Sequence, residues 1–358
     1  MKKTLFLFSH SIHAWGGATL ALLMLLVSVT GTLLVWKQDY LHLTIPQARV
    51  TFTPTPEALA RIASKVEAQF NQNEILLIEF ASAEFPLTKV TLSDTRYAYL
   101  DTEGVVVAQW VLNERWEEWL YDLHHRLLLG NWGLTLLGCA ALAMIVLLFA
   151  GLLTFWPLRR GFSQGVLPKS TARPQLLKAH RNIGIIEAVP LLLTLVTGVT
   201  LAFPEQSQKL LLEPFRGEDY SMDFTDHLDN VSGGSSAEWL PVMQRSLNAF
   251  PNSMIRSAQT SNAFSPYRII GLQQSGELNP QGLSKVYFDA AGGQMDIRID
   301  AQAQHISERI INTGYPLHTG RFNNLFYKLL LTISGILIAS VSVMGLFSFL
   351  KGKFLARG

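Results

Sequence analysis

The sequence predicts a membrane α-helical protein: a bundle of four transmembrane helices built from an internal duplication, with two α+β modules outside the cytoplasm. Three observations predict it. Four apolar runs are each long enough to cross a bilayer, which takes about 20 residues. Lys and Arg crowd the short connections and the chain ends. A set of residue spacings recurs in the two halves. Composition agrees, since 49% of the 358 residues are hydrophobic and only 16% charged, whereas soluble domains carry about 25% charge. The net charge of +2 offers no electrostatic case for nucleic acid. A single cysteine, Cys139, excludes an intrachain disulfide, a thiolate zinc cluster and paired thiols for covalent haem attachment.

In order, the chain reads as a first transmembrane helix (1–36), an outer module (37–131), a second helix (132–156) and a basic loop (157–182). A third helix (183–203), a second outer module (204–324) and a fourth helix with a short tail (325–358) complete it. The apolar runs themselves are Ala14–Trp36, Trp132–Trp156, Ile183–Phe203 and Leu325–Leu350. Lys2 and Lys3 precede the first run, but its apolar stretch exceeds the roughly 7–15 residues of a signal peptide, and no small-x-small site follows. It is read as a retained helix. The loop holds Arg159, Arg160, Lys169, Arg173, Lys178 and Arg181 and no acid, and Lys351, Lys353 and Arg357 lie at the C-terminal end. The positive-inside bias therefore expects both termini in the cytoplasm and the two long segments on the other side.

Those segments read as modules. Thr55–Asn71 carries Leu59, Ile62, Val66 and Phe70 at helical steps. Thr88–Val111 alternates and reads as a hairpin turning at Thr102-Glu103-Gly104. The second segment repeats the order, with a helix over Ser236–Asn252 and strands within Lys285–Ile299. Tyr99-x-Asp101-x-x-Gly104 matches Tyr287-x-Asp289-x-x-Gly292.

The repeat extends to the helices. His13 precedes Thr30 and Gly31 by 17 and 18 residues, and His180 precedes Thr197 and Gly198 by the same intervals. Tyr121-x-Leu123-His124 leads to Gly151 and Phe155, and Tyr315-x-Leu317-His318 leads to Gly345 and Phe349, with 27 residues from histidine to glycine in both. A lone histidine at a helix end is an interfacial side chain. Four of them, paired by the repeat, make a functional hypothesis.

His13 and His180 are expected to open helices on the cytoplasmic side, and His124 and His318 helices on the outer side. Two histidines per face suit the two axial positions of a haem between helices. Without a Cys-x-x-Cys-His motif such haems are non-covalent, b-type. Zinc fits less well, because two histidines without carboxylate or thiolate partners undersupply its four-coordinate preference. Arg126, Arg181 and Arg321 lie within three residues of these histidines and are candidates for the propionates. His10 and His125 are alternate ligands that break the repeat spacing. His42, His227 and His305 fall in the outer modules and read as surface histidines. Glu187, seven residues after His180 where the repeat has Leu20, is a buried acid within an apolar span. It is either a carboxyl bonded to the carbonyl freed by Pro190 or a proton acceptor.

The His-x-x-x-Gly…Thr-Gly pattern (His13, Gly17, Thr30-Gly31 and His180, Gly184, Thr197-Gly198), the Leu-His pairs at 123–124 and 317–318, and the Tyr-x-Asp-x-x-Gly turns resemble the PepSY-associated transmembrane family over almost the whole chain. The resemblance implies PepSY-like outer modules and a place in the bacterial inner membrane. It also implies two b haems ligated by His13, His180, His124 and His318, and reduction of a ferric siderophore or other ferric chelate in the periplasm. The tandem His124-His125 departs from the pattern and leaves the outer ligand open. No Gly-x-Gly-x-x-Gly is present for a nucleotide, so the electrons would come from membrane quinol or a separate cytoplasmic reductase. Trp110, Trp116, Trp119 and Tyr315 read as a chelate-docking surface or an interfacial belt. The alternative from another class is a haem-free membrane scaffold whose modules bind or regulate a periplasmic partner. A transporter would require a discontinuous helix with a charged midplane site, and none is evident in the sequence.

Overall fold

The structure, a computed structural model, describes residues 3–162, 165–212, 238–261, 265, 267–289, 295–321 and 324–353. Lys2, His227, Ser236, Gly292 and Arg357 lie outside the described residues.

The first half runs α1 (Lys3–Leu34), α2 (Lys37–Thr44), α3 (Pro56–Gln69), β1 (Ile75–Glu79), β2 (Thr88–Leu92), β3 (Arg96–Leu100), β4 (Val106–Val111), α4 (Trp116–Arg126) and α5 (Gly130–Phe155). The second half runs α6 (Arg173–Ile186), α7 (Ala188–Ala202), α8 (Pro204–Leu212), α9 (Trp239–Ala249), β5 (Met254–Gln259), β6 (Tyr267–Gln273), β7 (Ser284–Asp289), β8 (Met295–Ile299), α10 (Ile306–Asn312), α11 (Gly314–Thr319) and α12 (Leu325–Lys353).

Helices α1, α5 and α12 are long and apolar enough to cross a membrane, and α6 and α7, bent by 65° where they meet, are so only when taken together. The bend corrects the expectation of one unbroken third helix. Its cause is local: Pro190 has no N–H to give the carbonyl of Ile186, and proline kinks a helix at this position. The helix also begins at Arg173, so the last ten residues of the expected basic loop are helical. Helix α1 packs against α12 and α5, α6 against α12, and α7 against α5 and α11. Leu176, Ala179 and Ile183 form the buried stripe of α6 and lie on Met344 of α12.

The strands form one eight-stranded antiparallel sheet in the order β4-β3-β2-β1-β5-β6-β7-β8. Two separate modules were expected; instead β1 pairs with β5 through Ile78↔Ala258 and Glu79↔Ser257. One hydrophobic core spans the seam. Leu59, Ile62 and Val66 of α3 and Trp239, Val242 and Met243 of α9 cover Ile78, Val90, Ile270, Val286 and Phe288. Full burial of such a side chain contributes about 1.5–3 kcal/mol.

The expected hairpin over Thr88–Val111 is a three-stranded meander, with an extra turn at Thr95 (φ 64°). The Tyr-x-Asp-x-x-Gly motif is explained by its turn: Asp101 Oδ1 accepts from the backbone N–H groups of Glu103 (3.0 Å) and Val105 (2.9 Å), and Gly104 takes φ 75°. The matching turn at 290–294 lies outside the described residues.

The sheet enters the chain after α1 and before α5, and again after α7 and before α12, so it sits at one end of the helices. Polar ties fix it there. Lys37 of α2 and Lys89 of β2 both reach Glu118 of α4, at 2.8 and 3.4 Å. Lys328 of α12 reaches Asp39 at 2.8 Å. Burial pushes the Glu118 carboxyl upward, but Lys89 and Lys37 outweigh it and hold the group below its ordinary value. The basic residues, among them Arg159, Arg173 and Lys351, collect at the opposite end.

Candidate functional site

Two pairs of histidine rings lie between the helices. In the pair remote from the sheet, His13 of α1 faces His180 of α6, with centroids 5.8 Å apart and planes inclined by 65°. His13 Nδ1 lies 2.9 Å from the carbonyl oxygen of Leu147 on α5. His180 Nδ1 lies 2.9 Å from that of Val341 on α12. A carbonyl can only accept, so each Nδ1 carries the proton and donates, and each Nε2 keeps its lone pair. The glycines that recur in the repeat explain the approach. A Cβ on Gly151 would lie 2.9 Å from Cε1 of His13, and one on Gly345 would lie 3.0 Å from Cε1 of His180.

In the pair beside the sheet, His124 of α4 faces His318 of α11 at 6.3 Å, inclined by 47°. Their Nδ1 atoms lie 3.0 Å from the hydroxyls of Thr30 and Thr197. Thr30 directs its one proton to the carbonyls of Leu26 and Val27, and Thr197 directs its own to those of Leu193 and Thr194. The threonine oxygens therefore accept from the rings, and again Nε2 is left free. Burial lowers His124 to about 3, with His318 adding to the effect. It lowers His318 to about 4. Both rings are neutral at physiological pH, which is the form that ligates a metal.

The separations have a chemical meaning. With metal–imidazole bonds of about 2 Å and roughly 1 Å from nitrogen to ring centre, two axial imidazoles on one ion place their centroids about 6 Å apart. Both pairs lie near that value. Among the described residues no three His, Cys, Asp or Glu side chains converge as a closed metal site, and each pair offers two free Nε2 lone pairs. A second partner that holds Nδ1–H is a regular companion of metal-bound histidine, and all four rings have one.

The histidines do not sit where the sequence placed them. His124 lies near the end of α4 and His318 within α11, on short helices that precede the spanning ones. Leu127 (φ 52°), Leu128 (φ 59°) and Gly130 (φ 59°) form a left-handed turn after α4. Gly133 then lets α5 run so close that a Cβ there would overlap the carbonyl oxygen of Arg126. This turn brings His124 back against Gly31 of α1.

The alternates and neighbours separate clearly. His10 is exposed and stacks on Phe6. His125 stacks on Tyr121 at 5.2 Å, and its Nδ1 is buried with no hydrogen-bond partner. Arg126 and Arg321 each bury an Nε without a partner, and Arg321 donates from Nη1 to the Tyr315 hydroxyl at 2.8 Å. Arg181, by contrast, is used up on the Gly161 carbonyl and the Asn182 side chain. His42 is no simple surface histidine: it is half-buried, with both ring nitrogens on backbone carbonyls. His305 is exposed and caps α10. Trp110 is 3% exposed and packs in the module core, which removes it from any docking surface, whereas Trp116 and Trp119 are exposed.

Glu187 sits at the bend between α6 and α7. It is 5% exposed, and its Oε2 accepts from Ser334 Oγ of α12 at 2.5 Å. That hydroxyl, rather than the carbonyl freed by Pro190, is the partner of its side chain. The bend is also a discontinuous helix, which corrects the expectation that none is present. Thr30 and Thr197 were visible in the repeat without a role; their fixed interval from the inner histidines was the available signal. The Leu147 and Val341 carbonyls leave no side-chain trace, only a glycine four residues on.

No curated protein matches the chain in sequence. A family model described as the PepSY-associated TM region matches residues 10–351. The match takes in both histidine pairs, every helix that packs around them and the whole sheet, and the chain belongs to this PepSY-associated transmembrane family.

Proposed function

We propose that this multi-pass membrane protein is a di-haem b electron-transfer protein of the bacterial inner membrane that reduces a ferric siderophore or similar ferric chelate in the periplasm. In this reading a duplicated four-helix bundle carries two haems, both termini are cytoplasmic, and electrons enter from membrane quinol or a separate cytoplasmic reductase. The observation that carries it is the pair of histidine couples, at 5.8 and 6.3 Å, with every Nδ1 committed as a donor. When bound, haem supplies a site for one-electron storage at each couple.

The chain's own part is positioning. Carbonyls of Leu147 and Val341 fix the inner rings, and hydroxyls of Thr30 and Thr197 the outer ones. The unpartnered Nε groups of Arg126 and Arg321 fit propionate carboxylates at the sheet end. Arg181 is already bonded and is set aside. Iron(II) binds hard oxygen donors less tightly than iron(III), so a single electron delivered at the sheet end is enough to loosen the metal from its chelate.

The bend at Glu187 does not convert the protein into a transporter. Transporter folds set discontinuous helices against each other in both repeats, and the matching residue, Leu20, lies within the continuous α1. The test is an absorption spectrum with a haem-to-protein ratio on the purified chain. Two low-spin haems extractable by acid acetone, reoxidised on adding ferric siderophore with release of ferrous iron, are expected. A colourless chain from haem-replete cells would overturn the reading and favour the haem-free scaffold.

A further inference from the structure

We infer that Glu187 is the proton-accepting partner of the inner histidine pair: it takes up one proton when that site gains an electron and gives it back when the electron moves outward. The inference rests on the di-haem reading above and adds a positioning residue to it.

Four observations carry it. Glu187 follows His180 by seven residues along α6, about 10 Å of helix on the same face. It precedes Thr197, the partner of His318, by ten residues, so it lies along the chain between the two pairs. Its side chain is buried (5% exposed) at the bend, and its Oε2 is held by the equally buried Ser334 of α12. That bond leaves Oε1 as the oxygen on which a proton can add. Finally, the acid belongs to one half only, since Leu20 occupies the matching place in α1, so packing of the repeat does not require it.

The surroundings isolate this carboxyl. On α12 the titratable groups are Tyr327, Lys328, Lys351 and Lys353, all at the helix ends. On α5 there is only the exposed Cys139, and α7 has none. On α11 they are Tyr315 and His318, the latter against Thr197. On its own helix α6, Lys178, His180 and Arg181 stand six to nine residues earlier. An electron placed near His13 and His180 is thus felt at Glu187 with little competing charge. At about 10 Å and an effective dielectric constant of about 20, it strengthens proton binding there roughly tenfold. The balance is simple: the electron comes from quinol or a reduced cytoplasmic protein, the proton from water, and the carboxylate becomes a carboxylic acid.

The experiment is a spectroelectrochemical titration of the full-length, haem-loaded chain across neutral pH, with infrared redox-difference spectra, on wild type, Glu187→Gln and Ser334→Ala. In wild type the inner midpoint potential falls as pH rises, and a carboxylic C=O band appears on reduction. In Glu187→Gln both haems remain, the inner potential no longer follows pH and the band is gone. Ser334→Ala keeps the pH dependence and moves the band, because only the hydrogen bond has changed. A pH-independent wild-type potential without a carboxylic band, or a pH dependence that survives in Glu187→Gln, overturns the inference. Should Glu187→Gln lose a haem, the wild-type band decides alone. A chain without haem overturns the parent reading and this one with it, whereas two haems with a pH-blind inner potential overturn only this one.

Discussion

The two histidine pairs are built to one plan and anchored by different chemistry. The inner rings donate to backbone carbonyls of Leu147 and Val341, while the outer rings donate to the side-chain hydroxyls of Thr30 and Thr197. A carbonyl cannot be removed by substitution, and a hydroxyl can. The inner pair is therefore fixed by helix packing alone, whereas the outer pair is tuned by two replaceable groups.

The hardest test of this comparison removes the rings. On the di-haem reading, His180→Ala is expected to abolish the inner haem and leave the outer, and His318→Ala the reverse, each seen as loss of one spectral component and half the bound haem. If both variants lost the same component, the pairing would be wrong.

Acid should destabilise the outer pair next. In the haem-free chain, unfolded His124 and His318 take up protons near the ordinary value of 6.5, but the folded rings do so only near 3 and 4. The unfolded state binds more protons in that window, so stability falls as pH drops from 6.5 toward 4. Each unit of separation is worth about 1.4 kcal/mol. Thermal midpoints measured against pH should show this fall, and it should shrink in His318→Leu.

The anchors give a smaller effect. Thr30→Val and Thr197→Val keep the shape and remove the acceptor, so the outer haem should bind about 10–100-fold more weakly, with the inner haem unchanged in the same titration. Equal weakening at both sites would erase the distinction between the two anchors.

The smallest contrast lies within the outer pair. A Cβ on Gly31 would stand 2.8 Å from His124, and one on Gly198 would stand 3.4 Å from His318. Gly31→Ala should cost about 1–3 kcal/mol by overpacking and lower outer haem occupancy, while Gly198→Ala stays near wild type. Haem-to-protein ratios of the two variants read it directly.

Much of this plan is legible in the sequence because it is written in side chains at fixed intervals. Apolar runs reveal the long helices, and the histidine, threonine and glycine intervals pick out residues that the fold brings together. What escapes is backbone. The left-handed turn at Leu127 and Leu128 moves His124 off the spanning helix, and nothing about two leucines announces positive φ. The bend at Glu187 was signalled by Pro190 three residues on, but a proline within an apolar run reads equally as a tolerated kink. The pairing of β1 with β5 joins segments far apart in the chain, and strand edges carry no local mark of their partner.

That central seam also dictates an order of assembly. Strand β1 is complete before α5 is made, yet its neighbour β5 emerges only after α5, α6 and α7. Until then the first half presents an open strand edge, a template for unwanted pairing. Long-range β pairing is intrinsically slow. Assembly of the sheet therefore ends late, when a second-half strand closes an edge that has waited half-built for the rest of its own chain.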